Sequence, residues 1–291
     1  MPDRDAAKSQ TATLLVSCPD QRGIVAALAQ LLYGHGANIL DADQHTDTVA
    51  GIFFQRIHFD TSELRTDRTS LEAAIAEVAA RLRMTWRLCD SARRKRVAIF
   101  VSRTDHCLYD LLLRHRSGEL ACDIPLIVSN HEELAPVAAQ FGLPYRVFPI
   151  RPETKAAQEA AQIALLEQDA IDLVVLARYM QILSSEFIER FAHRIINIHH
   201  SFLPAFSGGR PYQQAAERGV KLIGATAHYA TVDLDEGPII EQDVIRASHR
   251  DTVAELVRKG ADVERNVLSR AVRWHLDDRV LVYGNKTVVF S

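Results

Sequence analysis

The run Ile171 to Ala177, IDLVVLA, constrains the fold more than any other stretch of the chain. A strand this apolar has no polar face to offer water, so it must be covered on both sides, as in the middle of a parallel sheet. Its surroundings agree. From Val97 onward, apolar runs alternate with amphipathic helices: Val97–Ser102 and a Leu-rich helix to about His115, Pro125–Ser129 and Glu132–Gln140, Tyr145–Phe148 and Glu153–Gln168, then Ile171–Ala177 and Ser185–Arg190, with Arg194–Ile198 closing the series. Repeated βα units predict a doubly wound α/β domain whose ligand sits at the carboxyl ends of the strands. The tail departs from this pattern. Ile223–Tyr229 and Pro238–Ile245 read as paired strands, Val253–Leu276 as a long helix, and Gly284-Asn285 as the turn of a final hairpin.

The first 90 or so residues form a different unit. Thr11–Cys18 reads as a strand ended by Pro19, with Asp20 as helix cap and Gly23, Ile24, Ala27, Leu28, Leu31 and Leu32 following at helical spacing until Gly34 and Gly36 stop them. Two β-rich runs, Ala37–Thr46 and Ala50–Phe59, flank a turn at Asp47–Gly51; a helix over Asp67–Arg83 and a strand at Thr85–Cys89 complete a βαββαβ, ferredoxin-like order. The basic run Arg93–Arg96 reads as a solvated linker, giving units of 1–92 and 93–291.

Composition narrows the function classes. With 34 basic and 37 acidic residues among 291, net −3, the chain carries no electrostatic footprint for nucleic acid or an anionic membrane. No apolar run approaches the roughly 20 residues of a membrane span, and the segment 1–10 is polar, without a secretory core. The cysteines, Cys18, Cys89, Cys107 and Cys122, are widely spaced and read as reduced thiols of a soluble cytoplasmic protein.

Two segments carry the chemistry. In IINIHHSFLPAF, Ile195 to Phe206, an apolar strand ends by delivering Asn197, His199, His200 and Ser201, and Pro204 forbids a continuing helix. Asn197 and His199 are two apart, so in extended chain they share a side. An amide donor beside an imidazole suits an acyl carbonyl whose oxygen becomes anionic, with the histidine moving a proton. The pair His199-His200 has no carboxylate or cysteine at ligand spacing nearby, so no metal site is read, and one of the two is expected to be structural. In HYATVDLDEGPII, His228 to Ile240, Asp233 and Glu236 read as solvated. Asp235, between Leu234 and the Gly237-Pro238 turn, reads as an ordered carboxylate able to hold His199 protonated or grip a water.

Asn197-x-His199, Ser201-x-Leu203-Pro204 and Leu234-Asp235-x-Gly237-Pro238 together resemble the 10-formyltetrahydrofolate-dependent formyltransferases, and LARYMQIL, Leu176 to Leu183, is similar to their pterin-binding segment. With its amino-terminal unit, nearly the whole chain resembles the formyltetrahydrofolate deformylase family. The resemblance implies an α/β chain in which a ferredoxin-like ACT domain precedes a Rossmann-like formyltransferase domain. It also implies a catalytic trio of Asn197, His199 and Asp235, and a folate cleft lined by Leu176, Met180, Gln181, Leu183, Ile188 and the loop Ala230–Asp235. Relatives often carry Arg at the position of Gln181, and many carry Ala and His at those of Gly209 and Gln213.

Transfer to a phosphorylated ribonucleotide needs an anion cradle of bare backbone amides, which relatives build from a Gly-rich turn after the first strand. Here that position reads FVSRTDHCLYDLL, Phe100 to Leu113, with no glycine. Water is therefore the expected acceptor and formate and tetrahydrofolate the products, within one-carbon and purine metabolism; the alternative is a formyltransferase with an unidentified amine acceptor. The resemblance implies no metal or other cofactor, and the H-E-x-x-H of metal-dependent peptide deformylases is missing. Whether His199 or Asp235 is the base stays open. In the first unit, the turn Pro19-Asp20-Gln21-Arg22-Gly23 resembles an ACT effector loop, so Asp20, Gly23, Ile24 and Asn38 are its expected effector contacts, with glycine or methionine as effector. The resemblance further implies a homo-oligomer, dimer or tetramer, through ACT sheets; a purely structural dimerisation module is the competing reading.

Overall fold

The computed structural model describes residues 10–205 and 211–291; the polar amino-terminal segment, Phe206 and Gly209 discussed above lie outside the described residues, Gln10 apart. The chain divides into two compact units, 1–94 with 278–281 and 288–291, and 95–277 with 282–287.

The first unit follows the expected βαββαβ order: β1 (Thr11–Pro19), α1 (Ile24–Gly34), β2 (Asn38–Asp47), β3 (Ile52–Asp60), α2 (Arg68–Leu82) and β4 (Thr85–Asp90). The strands pair antiparallel in the order β2-β3-β1-β4. Alternation gives β1 one face of Ala12, Leu14, Val16 and Cys18, directly opposite Phe59, Ile57, Gln55 and Phe53 of β3. Leu28 and Leu32 of α1 and Leu71 and Ile75 of α2 join Leu14, Val16 and Phe59 in one buried cluster. Asp67 caps α2 by accepting from the Ser70 amide, as its position predicts. Asp20 does not cap α1. The cap position is Gly23, held at φ 89°, a conformation that Cβ sterics deny most residues, and the Asp20 amide instead bonds the Gly51 carbonyl across the turn.

The second unit runs β5 (Lys95–Val101), α3 (His106–Arg116), β6 (Cys122–Ser129), α4 (Ala135–Gln140), β7 (Tyr145–Val147), α5 (Lys155–Gln168), β8 (Leu173–Leu176), α6 (Ser185–Arg190), β9 (Ile195–His199), α7 (Pro211–Arg218), β10 (Leu222–Tyr229), β11 (Ile239–Arg246) and α8 (Val253–Leu276). The hairpin β12 (Val280–Tyr283) and β13 (Lys286–Val289) follows, turning at Gly284-Asn285. Its sheet has the order β11-β10-β9-β8-β5-β6-β7, parallel from β9 to β7 and antiparallel at β10 and β11. The chain winds outward from β5 to β7, then returns to lay β8 and β9 on the other side. The switch point is therefore between β5 and β8, where a doubly wound sheet opens a crevice beyond its strand ends. All four residues of β8 are buried, as the apolar run demanded.

Two readings of the chain are corrected here. The basic run is not wholly linker: Lys95 and Arg96 begin β5, where Lys95 Nζ donates to the carbonyls of His275 and Leu276 and Arg96 Nε to that of Asp169. Their charge serves carbonyls at the ends of α8 and α5, a use that composition does not reveal. The helix α7 was not expected; its polar sequence, PYQQAAER, buries only Pro211, Tyr212 and Ala215.

Candidate active site

β9 brings Asn197 and His199 to the crevice, and β10 pairs with it antiparallel so that Thr226 lies opposite His199 and His228 opposite Asn197. The two strands thus present two polar residues each, at matching spacing, to one spot. Asp235 arrives on the loop after β10, at φ 60°. That loop has to turn sharply, and Gly237 permits it: a Cβ there would stand 1.8 Å from the Tyr229 carbonyl oxygen. The Asn285 side-chain amide, from the tip of the last hairpin, donates to the Glu236 carbonyl at 2.7 Å and fastens the same loop.

His199 Nδ1 stands 3.2 Å from Asp235 Oδ1, and His228 Nε2 3.8 Å from the same oxygen. His199 Nε2 is buried and has no hydrogen-bond partner among the described residues. The carboxylate facing Nδ1 assigns the ring proton to that nitrogen and leaves Nε2 for a group entering the cleft. His228 is fixed in turn. Its Nδ1 donates to the Tyr229 carbonyl at 3.0 Å, so Nε2 offers a lone pair to the Asn197 amide nitrogen 3.2 Å away. That spends one Asn197 N–H and leaves the other for the cleft. The imidazoles of His199 and then His228 beside Asp235 outweigh its partial burial and hold its carboxyl well below the usual carboxylate range.

The loop after β9 is pinned from β10: Thr226 donates to the Ser201 carbonyl and accepts from the Leu203 amide, while Ser201 donates to the Ala205 carbonyl. On the other side, the segment after β8 is held by Ser102, whose hydroxyl accepts from the Met180 amide and donates to Asn130. Gln162 reaches the Tyr179 hydroxyl at 3.3 Å.

One cavity of about 320 Å³ lies between these supports, and Leu176, Met180, Gln181, Leu183, Ile188 and Ala230 line it together with Asn197, His199 and Asp235. All nine residues expected in the cleft therefore meet in one place. The same wall contains His200, which the sequence reading placed at the strand's end, and His228 and Arg178, whose part it missed. The pair Thr226-x-His228, repeating the spacing of Asn197-x-His199 on the adjoining strand, was the available signal.

Other expectations fare differently. In the glycine-free turn after β5, the side chain that could meet an anion, Arg103, is solvent-exposed and pairs with Glu133 at 3.2 Å. The loop Asp20–Gly23 lies at the Pro19–Ile52 end of the first sheet, whereas Asn38 pairs with Asp60 at the Thr11 end, eight residues away along β1. At about 3.3 Å per residue the gap is about 26 Å, so the structure does not bring Asn38 to Asp20, Gly23 and Ile24. Among the described residues, the one group with metal-ligand proximity is His106, Cys107 and Glu264. Both Glu264 oxygens already accept protein hydrogen bonds, from Tyr212 and from His106, and burial pushes the Cys107 thiol far up, so it stays protonated.

A crevice carrying an amide, an imidazole and a carboxylate at the switch point is the setting for acyl transfer, and comparison with known proteins agrees. Residues 95–272 match the formyl transferase family and residues 12–78 the ACT domain family, so the chain joins an ACT domain to a formyl transferase domain. It is 58% identical to a formyltetrahydrofolate deformylase of Synechocystis sp. over 97% of this chain and 99% of that one. A crystal structure of a formyltetrahydrofolate deformylase from Pseudomonas syringae pv. tomato matches with TM-score 0.95 and 47% identity, covering 99% of this chain and 96% of the other. Glycinamide ribonucleotide transformylase 1 from Symbiobacterium toebii matches with TM-score 0.64 at 30% identity, over 68% of this chain and 95% of its own. The chain belongs to the formyltetrahydrofolate deformylase family.

Proposed function

We propose that this chain hydrolyses 10-formyltetrahydrofolate to formate and tetrahydrofolate, using Asn197, His199 and Asp235. The pterin occupies the cleft of Leu176, Met180, Gln181, Leu183, Ile188 and Ala230. The free Asn197 N–H and a protonated His199 Nε2 donate to the formyl oxygen as it takes up negative charge. Asp235 orients the attacking water and receives its proton. The water oxygen bonds to the formyl carbon, the tetrahedral adduct expels N10, and N10 leaves with a proton, so that one water is consumed and formate, tetrahydrofolate and one proton are released. The observation that carries this reading is the unpartnered His199 Nε2 aimed into the cleft while Nδ1 faces Asp235 at 3.2 Å. No metal enters the scheme, because the oxyanion's charge is met by hydrogen-bond donors.

The purified chain with 10-formyltetrahydrofolate alone is expected to release formate and tetrahydrofolate in equal amounts, undiminished after prolonged chelation. Tetrahydrofolate formation that needs an added amine, with the formyl group captured by it, would replace hydrolysis by transfer.

The first unit is read as an effector domain in which the Gly23 and Ile24 amides at the start of α1 hold the carboxylate of glycine or methionine and Asp20 meets its ammonium group. Assembly of copies of this chain through ACT sheets and a place in the cytoplasm complete the reading; among the described residues no helix is long and apolar enough to cross a membrane. Calorimetry with glycine and with methionine is expected to show binding heat and a changed rate for one of them. No heat and no rate change with either would leave the unit a structural module.

A further inference from the structure

A second cavity, of about 490 Å³, adjoins the cleft and is lined by Thr104, His106, Arg178, His200, Tyr212 and Glu264, among others. Arg178 and His200 line both cavities. Arg178 stands at φ 64° just past β8, so its backbone is held in the left-handed region and its side chain folds inward. Its Nε and Nη1 are buried and hydrogen-bonded to nothing among the described residues. The counter-ion, Glu264, lies 3.6 Å from Nε, but its two oxygens are taken by the Tyr212 hydroxyl at 2.6 Å and His106 Nε2 at 2.8 Å. A buried guanidinium with idle N–H groups is costly unless something accepts from them. The planar fork of an arginine matches the two oxygens of a carboxylate bidentately, as it does those of a phosphate.

The reaction supplies such a partner. Hydrolysis turns a neutral formamide into a formate anion beside Asp235, whose carboxylate repels it. The cation on the shared wall is Arg178, and His200, on the same wall, has its ring centroid 5.4 Å from that of His199 and 5.9 Å from that of Tyr212. Burial, then the charge of Arg178, drives the His200 pKa down to about 4, so this imidazole is neutral at ordinary pH and offers a proton donor without adding a competing cation.

We infer that the second cavity is the product site for formate, with the carboxylate seated on Arg178 and steadied by His200. The inference rests on the proposed hydrolysis for its ligand, though the site itself rests on the geometry of Arg178. Formate leaves the reaction centre by crossing this wall, while tetrahydrofolate leaves by the pterin cleft.

The test is titration of the full-length protein with ¹³C-labelled formate, followed by NMR, in wild type and in Arg178→Gly, Arg178→Lys and Asn197→Ala. Glycine suits the positive φ and removes the guanidinium; lysine keeps the charge and loses the fork. Wild type is expected to bind formate on the order of millimolar, as a ligand of three heavy atoms permits. Arg178→Gly is expected to weaken binding at least about tenfold, Arg178→Lys less, and Asn197→Ala not at all. Should the glycine variant fail to fold, a thermal scan shows it and the lysine variant carries the comparison. Unchanged formate affinity in folded Arg178 variants, loss in Asn197→Ala instead, or no binding by wild type would overturn the inference. The same preparation assayed with 10-formyltetrahydrofolate separates the two ideas: normal formate release with binding indifferent to Arg178 sinks the product site alone, whereas no release sinks the activity whatever the titration shows.

Discussion

Asp235→Asn is expected to lower kcat by on the order of 10³–10⁴, near the top of the range for losing a positioned acid or base, with little change in KM. The substitution keeps the size and shape of the side chain and removes its charge. His199 then loses the carboxylate 3.2 Å from Nδ1, and with it the group that fixes the ring proton and supports a positive ring. The attacking water loses its acceptor in the same stroke. Because Asp235 serves both groups, the loss exceeds what either interaction would cost alone. The pH profile separates this from a general weakening. The two imidazoles hold the folded-state pKa of Asp235 below its unfolded value, so the residue is ionised throughout the neutral and mildly acid range. Its contribution to stability is complete above the unfolded pKa of about 4 and fades only as pH falls toward the lower folded value. Any acid limb in kcat above about pH 5 therefore belongs to another group, and Asp235→Asn should lower the whole curve without shifting that limb. The variant should also lose less stability than wild type on acidification below pH 4. Stopped-time formate assays from pH 5 to 9 with parallel melting curves read both effects; near-normal turnover would remove Asp235 from the mechanism.

What the sequence disclosed and what it withheld divide along a physical line. Local patterns were legible. The short apolar strand β1, the helical spacing of α2 and the unbroken apolar run of β8 are each set by side chains within a few residues of one another. The Asn197–His199 segment was legible for the same reason, since an apolar strand that ends by delivering four polar residues has to be spending them on something. Relations across strands were not. His228 joins the site because β10 pairs with β9 at the register that sets it opposite Asn197, and one residue of slip would have turned it away. Asn38 fails to reach the Asp20 loop for the converse reason, since adjacency in sequence order said nothing about which end of the sheet each would occupy. Lys95 and Arg96 looked like linker because their partners, the terminal carbonyls of α8 and α5, lie far along the chain. Arg178 was hidden inside a motif read for Leu176, Met180, Gln181 and Leu183, and burial of its unpaired nitrogens marks it out.

Asn197→Ala is expected to cost on the order of 10²–10³ in kcat, the 2.7–4 kcal/mol or so that one oxyanion donor supplies, and again to leave KM nearly unchanged. An N–H that strengthens its bond only as the formyl oxygen becomes anionic stabilises the transition state more than the bound substrate, so its removal appears in kcat. A structural cost accompanies it. Asn197 also donates to His228 Nε2, and the alanine variant leaves that nitrogen without its donor in a buried position, about 1–3 kcal/mol. The variant should nevertheless fold, because β9 keeps its ladder to β8 and β10 and the neighbouring Ile196 and Ile198 keep their packing. Asn197→Asp tells the two contributions apart. It restores bulk but replaces a donor with a second carboxylate near Asp235, so stability and turnover should both fall below those of the alanine variant at pH 8 and recover partly as the new acid is protonated. If the aspartate variant instead turned over like wild type, the amide would be a structural tie to His228 and the oxyanion would have to be held by His199 alone.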